Sequence, residues 1–272
     1  MLKTEMRNPN TMNIDKMSTL EMVQVLANEN RVAVEAVADA SESIAKAVDV
    51  VSEALKNGGR LFYLGAGTSG RMGVLDASEV RPTFGIPDNV IVGIIAGGDR
   101  CLRSASENVE DKADNGVEDL KAHNPTSKDV VAGISAAGGA QYVIAALEYA
   151  KSLGCTTIGI TCNENTKVGA AADIEIVTDT GAEPITGSTR MKAGTAQKLV
   201  LNAITTCAFV KVGRTHGNLM KYMKPTNIKL IDRAVRIVSD MTGVDEATAR
   251  EALDNNGWNS EQAAEWINNN KK

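Results

Sequence analysis

Five short apolar segments, separated by stretches with helical spacing, constrain the fold of this chain more than any other feature of its sequence. Strands that alternate with helices predict a parallel sheet, because a parallel neighbour needs a long, usually helical crossover. We therefore predict an α/β fold in which a parallel sheet is flanked by helices, as in flavodoxin-like or Rossmann-like sandwiches. The predicted strands are 61–64, 90–95, 130–135, 156–161 and 174–177.

Helical segments lie before and after the predicted sheet. Ser18 and Glu21 have the spacing of a capping box, and apolar residues continue at helical spacing up to the stop signal Asn57-Gly58-Gly59. After the sheet we predict a long helix over 188–212 and another over 227–241. These elements predict an N-terminal helical segment (1–57), a central sheet domain (58–220) and a C-terminal helical module (221–272).

The C-terminal module has a pattern of its own. Residues 245–268 predict two short amphipathic helices on either side of Asn255-Asn256-Gly257. This arrangement resembles a ubiquitin-associated-type module, and we interpret it as a packing appendage in preference to a ubiquitin-binding domain. Its predicted miniature core consists of Leu253, Trp258, Ala264 and Trp266.

Charge and composition argue against several classes of partner and cofactor. The net charge of −5, the pI near 5.3 and the 3% of aromatic residues disfavour binding to nucleic acid or to an anionic membrane surface. We find no basic leader followed by an apolar run and no run of about 20 apolar residues, so we expect a cytoplasmic protein. The four cysteines and two histidines are isolated, which predicts buried free thiols and no metal site.

A glycine-rich turn, Gly65–Arg71, follows the first predicted strand and opens a helix. Backbone N–H groups at such a helix N-terminus can bind an anion, and Gly67, Thr68 and Ser69 add close approach and two hydroxyl donors. A dinucleotide fingerprint does not need those hydroxyls, and no acidic residue ends the second strand to bind a ribose. We therefore predict a sugar-phosphate ligand. Glycine turns also follow the second strand (96–98) and the third (136–140).

Several longer motifs resemble those of the N-acetylmuramic acid 6-phosphate etherases, lyases of the sugar isomerase (SIS) superfamily. The resemblance begins near 18–22 and continues past 216–220, so it covers nearly the whole chain. It implies a SIS-type fold, a homodimer with the active site at the subunit interface, and catalysis without a metal or redox cofactor. The motifs are GAGTSGRMGVLDASE (65–79), PTFG (82–85), IIAGG (94–98) and AEPITGSTRMKAGTAQKLVLN (182–202).

The resemblance also assigns roles to individual residues. The two glutamates that perform the elimination in the family match Glu79 and Glu110, and we assign Glu110 as the base and Glu79 as the proton donor. Glu183 is a third candidate, since related isomerases use a glutamate in a similar loop as a base. We interpret it as a ligand-positioning residue, and the alternative is a favourable charge near the N-terminus of the long helix. Further substrate contacts are expected from the third glycine turn and from the start of the long helix, at Gly138, Gly139, Ser188, Thr189 and Lys192.

One segment departs from the family. Where the etherases have a Ser-Gly-Arg-Thr-Pro-type phosphate loop, this chain has Ala137-Gly138-Gly139-Ala140-Gln141, without the two hydroxyls and the arginine. Two alternatives therefore stand beside the lyase. One is a regulatory protein that binds a sugar phosphate without turnover, as the related glucokinase regulatory protein does, and the other is an aldose–ketose isomerase of the same fold.

Overall fold

The computed structural model describes residues 1–223, 225 and 227–270, and it contains a five-stranded parallel sheet of order β2-β1-β3-β4-β5. All five predicted strands are confirmed. They pair in register along their length, with Leu61 opposite Ile91 on one side and opposite Val130 on the other. The strands are β1 (Leu61–Gly65), β2 (Ile91–Ile95), β3 (Val130–Ile134), β4 (Thr156–Thr161) and β5 (Ile174–Val177).

Helices lie before, between and after the strands, as the sequence predicts. The capping box at the start of α1 is present, because the Ser18 N–H donates to the Glu21 carboxylate at 2.7 Å and the Glu21 N–H donates back to the Ser18 hydroxyl at 3.4 Å. The helices are α1 (Thr19–Asp39), α2 (Ser41–Lys56), α3 (Gly67–Phe84), α4 (Arg100–Arg103), α5 (Ala113–Lys121), α6 (Gln141–Ser152), α7 (Lys167–Ala171), α8 (Lys192–Lys211), α9 (Ile228–Thr242), α10 (Glu246–Asn255) and α11 (Ser260–Asn270).

The core around β1 and β3 explains why these strands read as continuous apolar runs. A parallel sheet covered by helices buries both faces, so every strand position favours an apolar residue. Phe62, Leu64 and Val131 pack here against Val143 and Leu147 of α6, and all five are at most 1% exposed. In the described residues, no helix combines the length and hydrophobicity that a membrane crossing requires.

The chain divides into two compact units. The first consists of Met1–Ser78 and Asn89–Ala208, and the second of Glu79–Asp88 and the residues from Phe209 onward. Both α3 and α8 contribute residues to each unit. The predicted domain boundaries at 57/58 and 220/221 stay predictions.

The second unit has its own core among α9, α10 and α11, as predicted for the tail. Leu253 and Ala264 are buried and Trp258 packs partly against the core, but Trp266 is 39% exposed. The prediction of Trp266 as a core residue is therefore wrong. The buried face of α11 is Ser260, Ala263, Ala264 and Ile267, and Trp266 lies one position off this face.

The N-terminal residues before α1 form three short 3₁₀-helices that belong to the first unit. The Asn163 side chain accepts from the Lys3 N–H at 2.8 Å and donates to the Thr4 hydroxyl at 3.0 Å. The Thr11 hydroxyl donates to the Pro184 carbonyl at 2.8 Å. This polar segment is thus ordered by bonds to residues more than 150 positions away in the sequence.

Three of the cysteines are buried, as predicted, but Cys207 is exposed on α8. Burial raises the pKa of the Cys155 and Cys162 thiols to about 11. Both therefore stay protonated near neutral pH and pack as small apolar side chains.

The start of β1 is anchored to the start of β3 by Arg60 and Asp129. The Asp129 carboxylate accepts from the Arg60 guanidinium, the Arg60 N–H and the Thr126 N–H, each at 2.8 Å. Burial works to raise the pKa of Asp129, but these hydrogen bonds outweigh it and the pKa lies below its ordinary value. Asp129 therefore contributes stability as the ionised group.

We expect Asp129→Ala to lower the free energy of unfolding by about 3 kcal/mol at neutral pH, because it removes the buried carboxylate that neutralises Arg60. A carboxyl with a lowered folded pKa stabilises the protein above its unfolded pKa of about 3.9, and this contribution is lost as the pH falls through the folded value. The difference between variant and wild type should therefore shrink below about pH 4. Urea unfolding at several pH values measures it. Asp88→Ala, which breaks the exposed pair with Arg81, is the control and should cost at most about 1 kcal/mol.

Candidate functional site

The order of the strands sets the position of the candidate site. The chain moves from β1 to β2 on one side and from β3 to β4 and β5 on the other, so β1 and β3 form the point where the strand order reverses. Ligands of open α/β sheets bind at this point, beside the carboxyl ends of the strands. The glycine turns after β1 and β3 lie there.

The turn after β1 requires its glycines. A Cβ on Gly65 would lie 2.7 Å from the Gly70 nitrogen, and a Cβ on Gly70 would lie 2.4 Å from the Gly65 oxygen. Gly67, with φ of +55°, begins α3. In the described part of the chain, the hydroxyls of Thr68 and Ser69 form no hydrogen bond with protein atoms. The helix N-terminus therefore presents free N–H groups and two free hydroxyls.

A cleft beside this turn contains one of the two predicted catalytic glutamates. Ala66 and Gly67 line it on one side, and the residues 106–110 line it on the other. Glu110 is exposed, and its carbonyl accepts from the N–H of Tyr142 in the first turn of α6 at 2.9 Å. The structure thus brings Glu110 and the predicted phosphate turn to one cleft.

The turn after β3 presents fewer donors than its glycines suggest. The Gly138 N–H donates within the turn, to the carbonyl and the hydroxyl of Ser135, both at 3.1 Å. Gly139 is exposed, and a Cβ built on it would meet no atom within 4 Å. Ala140 occupies the N-cap of α6 without a side-chain cap. The free donors at this turn are backbone groups alone.

The start of α8 packs against the turns after β1 and β3. A Cβ on Gly194 would lie 3.0 Å from the Thr68 methyl, so Gly194 leaves the room that Thr68 occupies. Ala193 packs with Ala136 of the third turn and with Cys162. Ser188 and Thr189, in the turns just before α8, are half-buried beside this contact. The predicted ligand-binding segments of the first unit therefore converge.

The predicted start of α8 at residue 188 is wrong, because the helix begins at Lys192. The fully buried Glu183 carboxylate accepts from the N–H groups of Lys192 and Ala193, both at 2.9 Å, and so caps the helix. Glu183 thereby fixes the first turn of α8. Its direct contact with a ligand stays a prediction.

Lys192 has a partner that the sequence did not reveal. Its ammonium lies 2.7 Å from the Glu29 carboxylate, and both side chains are at most 5% exposed. Asn8 and Asn10 donate to the same carboxylate at 2.6 and 2.8 Å. Burial works to raise the pKa of Glu29, but Lys192 and the two amides lower it overall. The ammonium thus bonds within the protein, and its predicted contact with substrate stays a prediction.

The second predicted catalytic glutamate, Glu79, is exposed on α3. Its carbonyl accepts from the Thr83 hydroxyl at 3.0 Å, as is common inside helices. Glu79 belongs to the second compact unit, whereas Glu110 belongs to the first. That the two carboxylates face one sugar from opposite sides stays a prediction.

Sequence reasoning missed Asp76, a buried carboxylate on α3. It accepts from Asn202 at 2.7 Å, from Thr205 at 3.3 Å and from Tyr63 at 3.2 Å, which ties α3 to α8 and β1. Burial raises its pKa, although these three donors act in the opposite direction. The sequence did contain a signal for a buried carboxylate, because Asp76 has the helical spacing of the residues on the buried face of α3. That face consists of Gly73, Asp76, Ala77 and Val80.

In the described residues, no group of three or more histidine, cysteine, aspartate or glutamate side chains is arranged to bind a metal ion. The polar groups that do converge are glycine-turn N–H groups, hydroxyls and one exposed carboxylate. They suit an anionic ligand that carries hydroxyl groups and a site for proton transfer.

Two of the solved structures that share this architecture are phosphoheptose isomerases. A phosphoheptose isomerase from Neisseria gonorrhoeae aligns with a TM-score of 0.54 at 20% identity, over 70% of this chain and 98% of that one. One from Francisella tularensis aligns at 0.52 and 18% identity, over 72% and 99%. These likenesses establish the fold.

Family models agree with this assignment. The SIS domain model matches residues 107–207, and the model of the glucokinase regulatory protein N-terminal SIS domain matches 43–151. A UBA-like domain model matches 239–265. The fold and the site therefore define a SIS-domain protein with a C-terminal UBA-like module.

Relatives over nearly the whole chain narrow the assignment. The N-acetylmuramic acid 6-phosphate etherase of Pectobacterium atrosepticum is 51% identical over 253 residues, 93% of this chain and 84% of the relative. The etherase of Actinobacillus pleuropneumoniae is 51% identical over 250 residues, 92% and 82%. The chain belongs to the N-acetylmuramic acid 6-phosphate etherase family.

Proposed function

We propose that this protein is a carbon–oxygen lyase that cleaves the lactyl ether of N-acetylmuramic acid 6-phosphate to N-acetylglucosamine 6-phosphate and D-lactate. The observation that carries the proposal is the cleft in which Glu110 and the N-terminal turn of α3 lie side by side. The 51% identity to etherases over most of the chain supports the same reaction. The proposed reaction would belong to amino-sugar catabolism and peptidoglycan recycling.

The reaction needs a base and an acid. In the proposed mechanism Glu110 removes the proton at carbon 2 of the open-chain aldehyde sugar, and the electron pair moves into the aldehyde to give an enolate, which forms the double bond between carbons 2 and 3 when the lactate oxygen leaves. Glu79 protonates the lactate oxygen as its bond to carbon 3 breaks. Water then adds to carbon 3 of the unsaturated aldehyde and a proton returns to carbon 2. The net change is hydrolysis of the ether, and it balances without a metal or redox cofactor.

The phosphate of the substrate is proposed to bind at the start of α3. Thr68 and Ser69 have hydroxyls without protein partners, and the N-terminal N–H groups of α3 favour an anion. Gly67 allows the close approach. Ser188, Thr189 and Lys192 before and at the start of α8, Glu183 and the turn at Gly138 and Gly139 complete the proposed substrate site.

The proposal also includes a homodimer with the active site at the subunit interface and a location in the cytoplasm, both as the family resemblance implies. Neither nucleic acid nor a membrane is a proposed partner, in keeping with the net charge of −5.

A second function has one specific observation in its favour. The turn after β3 contains Ala137, Gly139 and Ala140 at the positions where the family has two hydroxyl residues and an arginine. A weak phosphate loop suits a protein that senses a sugar phosphate without turning it over. The match of residues 43–151 to a regulatory protein's SIS domain is compatible with that alternative. An aldose–ketose isomerase is the third possibility, and it would not need an acid at carbon 3.

Incubation with N-acetylmuramic acid 6-phosphate separates these functions. The lyase should release D-lactate and N-acetylglucosamine 6-phosphate in equal amounts, which an enzymatic lactate assay and mass spectrometry measure. An isomerase would release no lactate, because its chemistry at carbons 1 and 2 leaves the ether bond at carbon 3 intact. Binding detected by calorimetry without any product would replace the lyase by the regulatory function.

A further inference from the structure

The segment that includes Glu110 has few bonds of its own. Residues 104–112 between α4 and α5 form turns, and the side chains of Ser106, Glu107, Asn108 and Glu110 form no hydrogen bond to the described part of the chain. Asn108 has φ of +61°, a conformation that asparagine tolerates. A base on such a segment needs other residues to fix its position, because proton transfer depends on geometry.

Three contacts anchor this segment. At its end, the Tyr142 N–H donates to the Glu110 carbonyl at 2.9 Å. In its middle, Val109 packs on Gly97, where an added Cβ would lie 3.3 Å from a Val109 methyl. At its beginning, Arg71 of α3 donates to the Ser104 carbonyl at 3.4 Å and to the carbonyls of Cys101 and Leu102 in α4, directly before the segment.

The Arg71 guanidinium donates hydrogen bonds to backbone carbonyls at the C-terminal end of α4. Its Nε donates to the Leu102 carbonyl at 3.1 Å, and its Nη2 donates to the carbonyls of Cys101 at 2.6 Å and Ser104 at 3.4 Å. These carbonyls end a helix of four residues and have no complete set of helical partners. A planar guanidinium can serve all three at once, whereas a lysine ammonium is a single point charge.

We propose that Arg71 is a positioning residue for Glu110. It joins the first turns of α3, which contain the proposed phosphate site, to the segment that contains the proposed base, so it fixes the distance between the two. The proposal rests on the function proposed above. It does not require Arg71 to touch the substrate.

The test compares two arginines that anchor loops. Arg60 also donates to backbone carbonyls, those of His123 and Asn124 at 3.0 and 2.8 Å, but it lies before β1, at the amino ends of the strands and so opposite the candidate site. We expect Arg71→Lys to lower kcat by about 10- to 100-fold with KM changed less than about threefold, because the base is displaced while the phosphate contacts remain. Exchange of the carbon 2 proton with deuterium should fall in parallel. Arg60→Lys should lower the melting temperature but leave kcat within about twofold.

Amide hydrogen exchange supplies a readout that does not depend on turnover. Peptides that cover residues 104–111 should exchange faster in Arg71→Lys and not in Arg60→Lys. The proposal is overturned if a folded Arg71→Lys variant shows unchanged kcat and unchanged amide hydrogen exchange. It is also overturned if Arg60→Lys loses as much kcat as Arg71→Lys. Arg71→Gln replaces Arg71→Lys if the latter does not fold, and failure of both to fold reduces Arg71 to a structural anchor. If the wild type releases no lactate, the proposed function fails. Amide hydrogen exchange then still decides whether Arg71 fixes the segment 104–112.

Discussion

Glu110→Ala should abolish both lactate release and the exchange of the carbon 2 proton with solvent deuterium. Without a base neither the enolate nor any later intermediate forms. A general base typically contributes about 100- to 10,000-fold in rate, so kcat should fall by that amount. NMR of the substrate in deuterium oxide measures the exchange, and the lactate assay measures the release.

Glu79→Ala should fail in a different way. Proton abstraction precedes the departure of the alkoxide, so this variant should lose lactate release by a similar factor and keep part of the exchange. The isosteric Glu110→Gln and Glu79→Gln separate loss of the carboxylate from loss of volume. Glu118→Ala on α5, an exposed glutamate that pairs with Lys121 at 3.6 Å, is the matched control and should leave the rate within about twofold.

Two outcomes would contradict this assignment. Near-normal lactate release by either alanine variant removes that residue from the mechanism. Exchange that survives only in Glu110→Ala reverses the roles of the two glutamates, so that Glu79 becomes the base.

The sheet could be predicted from the sequence because each strand is buried on both faces and therefore reads as an apolar run. LFYL became β1 and TTIGIT became β4 with at most one residue of difference. The capping box at Ser18 and Glu21 could be predicted for a related reason, since both partners lie within one turn. Features that depend on contacts between residues close in the sequence could therefore be predicted.

Features that depend on contacts between residues far apart in the sequence could not be predicted. The first turn of α8 is set by Glu183, nine and ten positions before the two N–H groups it accepts, so the helix begins later than its residue pattern predicts. Lys192 looked like a free cation, and its partner Glu29 lies 163 residues away. Arg71 likewise gave no sign that its guanidinium would cap α4.

The candidate site divides in the same way. The turn at Gly67, Thr68 and Ser69 could be predicted, because strand, turn and helix are consecutive and the donors come from adjacent residues. That Glu110 lies beside this turn could be expected only from the family resemblance. No spacing in the sequence connects the two segments.

Restoring the phosphate loop of the family in the turn after β3 should have a large effect on KM. The variant Ala137→Ser, Gly139→Arg, Ala140→Thr restores the hydroxyls and the arginine of the family loop. At Gly139 an added Cβ meets no atom within 4 Å, and the N-cap position Ala140 lacks a side-chain cap. Threonine is also a favoured N-cap residue.

Each restored bond to the phosphate is charge-assisted and contributes about 1.5 to 3 kcal/mol. Two or three such bonds should lower KM for N-acetylmuramic acid 6-phosphate by at least about 100-fold. The phosphate is remote from carbons 2 and 3, so substrate and transition state gain the same bonds and kcat should change little. Steady-state kinetics measures both constants.

Unphosphorylated N-acetylmuramic acid is the matched control, because its binding by the triple variant and by the wild type should be equal when measured by calorimetry. The three substitutions are designed to add contacts to the phosphate and to no other part of the ligand. A similar gain for both sugars would mean that the loop contacts another part of the ligand. An unchanged KM for the phosphorylated sugar would mean that the phosphate lies away from the turn after β3, and that Thr68, Ser69 and the N-terminus of α3 bind it alone.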